Sequence, residues 1–314
     1  MRSASGFEKI VKQMVGEIEN DLSPKGYNPP GILYHYTDSV GLEGILGNQE
    51  IWATHYNCLN DTSELRSGES LVQQVLTVLP EQLTDNLARP LAKTIRDWYL
   101  EKPLVSIVEV FVASFSLDGN DLSQWRAYGA NGHGYSIGFS FAPDSNGEIA
   151  GGLQFVLRGC LYDETKFQCR IGDIVKRASN AFAHYYRTYM PEDEKSRDLI
   201  VTEAAKSVMP FIAYEVMSFK NAHFFSEREW RLCLLLEPEL MSTCQFRTTP
   251  NGKVPYLIVP LKPDDPTFQI KKIFVGPCGE SARRAENAET LLTKKRFENC
   301  GVVRSTIPYR GCST

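Results

Sequence analysis

Ile270-Lys-Lys-Ile-Phe-Val275, then Gly276-Pro277, a helical stretch from Glu280 to Glu298, and Val302-Val-Arg-Ser-Thr-Ile307 spell strand, helix and strand. β-Branched and aromatic residues fill the outer pieces, and Gly-Pro marks the stop between them. A strand that returns beside its neighbour through such a helix makes a right-handed crossover with a parallel partner. The chain is therefore mixed, neither all-helical nor all-β. Upstream, Tyr135 to Phe141 alternates as a strand. Gln154 to Tyr162, Trp230 to Leu236 and Tyr256 to Pro260 read the same way, and Ser106 to Ser116 is rich enough in Val, Ile and Phe for a buried strand. Ile32 to Thr37 and Glu50 to Ala53 are short strands, and Asn57 to Ser63 is a polar loop.

Helical patterns fill the remainder. Phe7, Ile10, Val11, Met14, Val15 and Ile18 share one helical face, which Ser23-Pro-Lys-Gly26 and Asn28-Pro-Pro-Gly31 bring to an end. Asp38 or Ser39 caps a helix carrying Leu42, Ile45 and Leu46, which Gly47-Asn48 ends. Glu64 to Leu100 is helical with interruptions at Pro80 and Pro90, Leu122 to Tyr128 is a short helix, and Ile171 to Phe219 is a helical block broken near Pro191. The expected organisation is an N-terminal helix and connector over residues 1–30, then one α+β domain over 31–314 with a helical insertion at about 171–219.

The chain has 314 residues, 42% of them apolar, enough for a sizeable core; the 23% charged residues are ordinary for a folded domain. A net charge of −4 with scattered Lys and Arg gives no nucleic-acid footprint at the level of the whole chain. No signal peptide and no apolar run of bilayer length is evident, and the eight cysteines form no CxxC pair. Reduced thiols, no metal site and a cytoplasmic location are the expectations. Walker, GxGxxG, HExxH and GxSxG motifs are absent. Gly129-Ala-Asn-Gly-His-Gly134 precedes a strand rather than a helix, so it reads as a tight loop and not a phosphate cradle.

Three blocks carry chemistry-bearing residues. Leu33-Tyr-His-Tyr-Thr37 points His35 opposite to Tyr34 and Tyr36 on a strand. In Phe111-Val-Ala-Ser-Phe-Ser116, Ser114 and Ser116 share a face, and Trp125 and Tyr128 then share a helix face around Arg126. In the third block, Lys220 to Arg231, a strand places Glu227, Glu229 and Arg231 on one side at the edge of a core strand. A hydrogen-bonded core histidine, a packed aromatic helix and surface ion pairs account for the same residues without any site.

These blocks resemble the bacterial DUF2971 family. The matching pieces are LYHYT from Leu33, IWAT from Ile51, LND from Leu59, SFS from Ser114 and WRxYG from Trp125. SIGF from Ser136, FxxExEWR from Phe224, VGP from Val275 and STIPYR from Ser305 complete the series. The arrangement also looks like the ADP-ribosyltransferase superfamily, although SFS stands where STS is usual and the motif spacing is long. That resemblance implies a split β-sheet core with helical insertions and the C-terminal strand–helix–strand unit. It implies NAD as substrate, held through His35, Tyr36, Thr37 and Ser114 or Ser116. Tyr36, Trp125 or Tyr128 would stack on its rings, and Arg126 or Arg231 would hold the pyrophosphate. Glu229 would be the catalytic carboxylate, opposing the positive charge that develops as the nicotinamide–ribose bond breaks. Glu227 would orient or deprotonate the acceptor. The implied activities are transfer of ADP-ribose to a nucleic acid or protein, hydrolysis of NAD, or a non-catalytic module of the same fold. A toxin or phage-defence role, with an antitoxin or regulatory partner, follows from the same resemblance.

Overall fold

A computed structural model describes residues 4–22, 31–59, 63–102, 108–141, 146–148, 154–189, 191, 193–250, 252–261, 268–297 and 299–309. The expected breaks at Ser23 to Gly26 and Asn28 to Pro30 lie outside these residues, as do Asn60, Asp61, Ser106, Glu298, Arg310 and Cys312. The fold is α+β. The chain divides into two compact units. One comprises Met1–Lys25, Asp61–Glu109 and Leu161–Ala222; the other comprises Gly26–Asn60, Val110–Cys160 and His223–Thr314. The leader and the insertion belong together because each carries an apolar stripe that needs a helical partner.

With elements numbered along the whole chain, the first unit holds α1 (Ala4–Leu22), α3 (Ser63–Gln82), α4 (Arg89–Glu101), α6 (Glu164–Tyr189) and α7 (Glu194–Ser218). Met14 and Ile18 of α1 are buried, as are Val72 and Leu76 of α3, Leu91, Ile95 and Tyr99 of α4, Phe167, Ile171 and Val175 of α6, and Val208 and Ile212 of α7. Their spacing of three or four puts each set on one stripe, and each fully buried side chain of this size contributes about 1.5–3 kcal/mol. Pro80 does not interrupt α3. It sits in the last turn, and the break falls between Gln82 and Arg89, with Pro90 in the first turn of α4, where its missing N–H costs no helical bond.

The second unit holds β1 (Leu33–Thr37), α2 (Ser39–Asn48), β2 (Glu50–His55), β3 (Glu109–Ser116), α5 (Leu122–Ala127), β4 (Tyr135–Phe141), β5 (Asn146–Glu148) and β6 (Gln154–Gly159). After these come β7 (Glu229–Leu236), β8 (Gln245–Thr249), β9 (Gly252–Pro260), β10 (Phe268–Val275), α8 (Ser281–Lys294) and β11 (Gly301–Arg304). The strand order is β11-β10-β4-β1-β3-β2-β9-β8, while β7 also pairs with β3 and carries β6 and β5. The C-terminal expectation holds: β10 and β11 are parallel, with α8 between them in the chain. β3 meets β1 through Tyr34 and Ser116, near its end, and meets β2 through Val112 and Phe111, nearer its start.

Alternation gives this sheet two different faces. Leu33, Phe111, Ala113, Phe115, Ile137, Phe139, Leu232, Leu234, Ile273 and Val275 point to one side, where Leu42, Ile45 and Leu46 of α2 and Ala288 and Leu292 of α8 complete a hydrophobic core. The intervening residues include Tyr34, Tyr36, Ser114, Ser116, Ser136, Glu229, Arg231 and Arg158, so the opposite face is polar.

The glycine-rich loop is the tight connector expected. Asn131 sits at φ 51°, and Gly134 and Gly276 come so close to neighbouring carbonyls that a Cβ would lie 2.2 Å from the Thr37 oxygen and 2.3 Å from the Gly132 oxygen. The N–H of Gly276 donates to the Gly134 carbonyl at 3.0 Å. Arg284 of α8 ties both loops down, donating to the carbonyls of His133, Gly134, Gly276 and Cys278.

Candidate functional site

The polar face at β1, β3 and β7 gathers most of the residues singled out in the sequence. Ser116 of β3 donates its hydroxyl to the Glu227 carbonyl at 2.9 Å and accepts from the Asp118 N–H at 3.3 Å. The Leu117 N–H donates to the Arg228 carbonyl at 3.2 Å, fixing the start of β7 beside the end of β3. Tyr36 of β1 is nearly buried. Its hydroxyl donates to the Asp118 carbonyl at 2.7 Å and accepts from the Asp121 N–H at 2.9 Å, so it pins the 117–121 loop. Burial raises its pKa far above the usual phenol range, the bond from Asp121 opposing and the Asp118 charge adding to the shift.

Trp125 does not offer a stacking face. It is wholly buried, meets Tyr36 edge-on at 4.9 Å, and its indole N–H donates to Asn120 at 3.0 Å. Of the three aromatic residues expected to stack on a ligand, Tyr128 alone is exposed, and its hydroxyl reaches the Glu227 carboxylate at 3.2 Å. Arg126 is exposed on the same short helix, which Asp121 caps through the N–H groups of Ser123 and Gln124.

The paired carboxylates part company. The 3-10 turn Ala222–Glu227 precedes β7, and Arg228 between the two glutamates takes φ 44°. The strand therefore begins at Glu229, and Glu227 does not continue its alternation, contrary to the expected shared face. Glu229 and Arg231 do share a face, and there they engage one another. Both are buried, with Arg231 Nε at 3.0 Å from one carboxylate oxygen and its terminal nitrogen at 3.0 Å from the other. The contact directs two of the five guanidinium N–H donors to Glu229. Arg158 of β6 lies directly across from Arg231, and the Cys233 thiol two residues on is pushed up to about 12 by burial, the two arginines opposing the shift.

His35 departs most from expectation. Its strand neighbours Tyr34 and Tyr36 face the polar side, so its ring lies on the core side, 5.9 Å from Phe115 and edge-on. There Nδ1 is 2.9 Å from the Ser114 carbonyl. A carbonyl can only accept, so Nδ1 carries the proton. Desolvation lowers the His35 pKa, and the bond to Ser114 acts in the opposite direction. The histidine thus joins β1 to β3 through the backbone, and its ring and the Glu229 side chain project from opposite faces. Thr37 shares the His35 side of the strand.

Asp118 and Arg228 escaped the sequence reading. They form an ion pair at 2.9 Å between the loop that follows Ser116 and the residue that follows Glu227. The signal was the Asp118-Gly119 turn. Gly119 must lack a Cβ because one would lie 2.4 Å from the Tyr34 ring. Among the described residues no group of three or more His, Cys, Asp or Glu is placed to hold a metal, and no helix is long and apolar enough to cross a membrane.

Residues 124–232 match the model of a family described as a protein of unknown function, DUF2971. The matched stretch takes in Trp125, Tyr128, Arg158 and the Glu227–Arg231 block, but not His35, Ser114 or Ser116. Neither a curated protein nor a solved structure matches the chain.

Proposed function

We propose that the sheet unit acts on NAD in the manner of an ADP-ribosyltransferase, using its polar face at β3 and β7 and passing ADP-ribose to a macromolecule. The supporting observation is the convergence of Ser114, Ser116 and Glu229 on one face of adjacent strands, with Tyr128 and Glu227 at its rim. In the proposed step the C–N bond between ribose and nicotinamide breaks and its electron pair leaves with the nicotinamide. Glu229 opposes the positive charge left on the ribose. The two bonds from Arg231 fix the orientation of that carboxylate. The acceptor's nucleophilic atom then bonds to the ribose carbon, and its proton passes to Glu227, which Tyr128 steadies. Arg126 takes the pyrophosphate role, Ser114 and Ser116 position the nicotinamide side, and His35 acts as a positioning residue through the Ser114 carbonyl.

The bidentate Arg231 contact also favours a second reading, in which Glu229 is a strut and the unit is a non-catalytic module. Incubation with labelled NAD and cell lysate separates these readings. Label on a macromolecule, lost in Glu227→Gln and Glu229→Gln that circular dichroism shows to be folded, supports transfer. Free ADP-ribose alone identifies a glycohydrolase, and neither product from the folded protein leaves the module. Growth arrest on expression of the wild type but not of Glu229→Gln tests the toxin role carried by the resemblance.

A further inference from the structure

The same polar face carries a second cluster, on β2, β9 and β8, that the proposed chemistry does not use. Trp52 of β2 and Tyr256 of β9 stack at 4.2 Å with an interplanar angle of 27°. The Arg247 guanidinium of β8 lies over the Trp52 ring at 5.8 Å, and one terminal nitrogen donates to the Thr54 hydroxyl at 3.1 Å. Arg247 Nε, by contrast, is a buried donor with no acceptor among the described residues. An unmet guanidinium N–H inside an aromatic cluster carries an uncompensated desolvation cost that an anionic oxygen relieves. Beside the rings Ile258 is exposed, and Glu50 accepts from the Trp52 indole N–H at 2.8 Å. Two rings and a cation with a donor to fill match the two halves of a nucleotide, a flat base and a phosphate.

We infer that the Trp52–Tyr256–Arg247 cluster binds single-stranded nucleic acid, one base packing against the paired rings and its phosphate meeting Arg247. The site stands apart from the reading given above, since it requires binding and no NAD chemistry.

The test titrates the full chain with a fluorescently labelled oligothymidylate and a labelled oligouridylate, following anisotropy and, with unlabelled strands, tryptophan emission. Saturable binding with tryptophan quenching is expected. Arg247→Gln is expected to weaken it roughly ten-fold and to lower the salt slope by about one. Tyr256→Leu is expected to weaken it by a similar roughly ten-fold factor. Trp52→Phe keeps a ring in place and is expected to bind while losing most of the quench, and circular dichroism verifies that each variant is folded. No saturable binding, or binding unchanged in folded Arg247→Gln and Tyr256→Leu, overturns the assignment. Equal affinity for thymidine monophosphate or for polyglutamate refutes a strand as the occupant.

Discussion

Glu229→Gln gives the sharpest physical test of the site, because it perturbs charge with almost no change in shape. In the wild type the carboxylate and the Arg231 guanidinium are both buried and joined by two bonds of 3.0 Å. Each charge-assisted bond contributes about 1.5–3 kcal/mol, and removing one member of a buried pair costs about 3–5 kcal/mol. Glutamine keeps one oxygen as an acceptor but presents an NH2 group to a cation, so a loss of about 3–4 kcal/mol is expected. Urea unfolding followed by tryptophan emission measures it, since Trp230 adjoins the substituted residue, with the transitions of the two units fitted separately. The double variant Glu229→Gln/Arg231→Met removes the stranded charge and is expected to recover at least half of the loss. A single-variant loss below about 1 kcal/mol, the value of an exposed pair, would refute the claim that the two charges are desolvated together.

His35 gives a pH prediction. Its folded pKa lies below the ordinary 6.5, so its stabilising contribution is complete above that pH and is lost as pH falls from 6.5 toward the lower folded value. The urea midpoint should therefore decline more steeply below pH 6.5 in the wild type than in His35→Gln; parallel profiles would count against burial of a neutral ring. Gly134→Ala should destabilise by more than about 2 kcal/mol, because the new methyl meets the Thr37 backbone oxygen, whereas Gly16→Ala meets nothing and should be neutral or slightly stabilising by thermal melting. Arg284→Met frees four carbonyls at once, with an expected loss of about 3 kcal/mol and faster amide exchange at Gly276 and Cys278.

Much of the sheet was readable because its strands alternate cleanly. Tyr135 to Phe141 was placed to the residue, and β7 and β10 were found with boundaries one or two residues short. β8 was missed because Gln245-Phe-Arg-Thr-Thr249 is an edge strand with a single apolar side chain, the exposed Phe246, which leaves no alternation to read. The helical unit was legible helix by helix but not as a unit, since nothing local says that the stripes on α1, α6 and α7 seek each other. At the site, alternation correctly put His35 opposite to Tyr34 and Tyr36. What it lacked was the pairing of Tyr34 with Ser116, which fixes the serines on the tyrosine side. The left-handed Arg228, which ends the alternation between the two glutamates, is a backbone conformation that an arginine side chain does not advertise.

That residue bears on which reading of the carboxylates survives. A bulky side chain at φ 44° is held there by its surroundings, and two contacts do so here: the Arg228 carbonyl accepts from Leu117, and its guanidinium pairs with Asp118. Both partners belong to the loop that Tyr36 pins, so β1, the end of β3 and the start of β7 share one set of constraints. The consequence is a division of labour between adjacent acids. Glu229 is buried against Arg231, while Glu227 stays partly exposed within reach of the Tyr128 hydroxyl. Substitution should separate the two acids, since Glu229→Gln breaks a buried pair whereas Glu227→Gln alters a partly exposed contact with Tyr128 and should cost less than about 1 kcal/mol in the same urea assay.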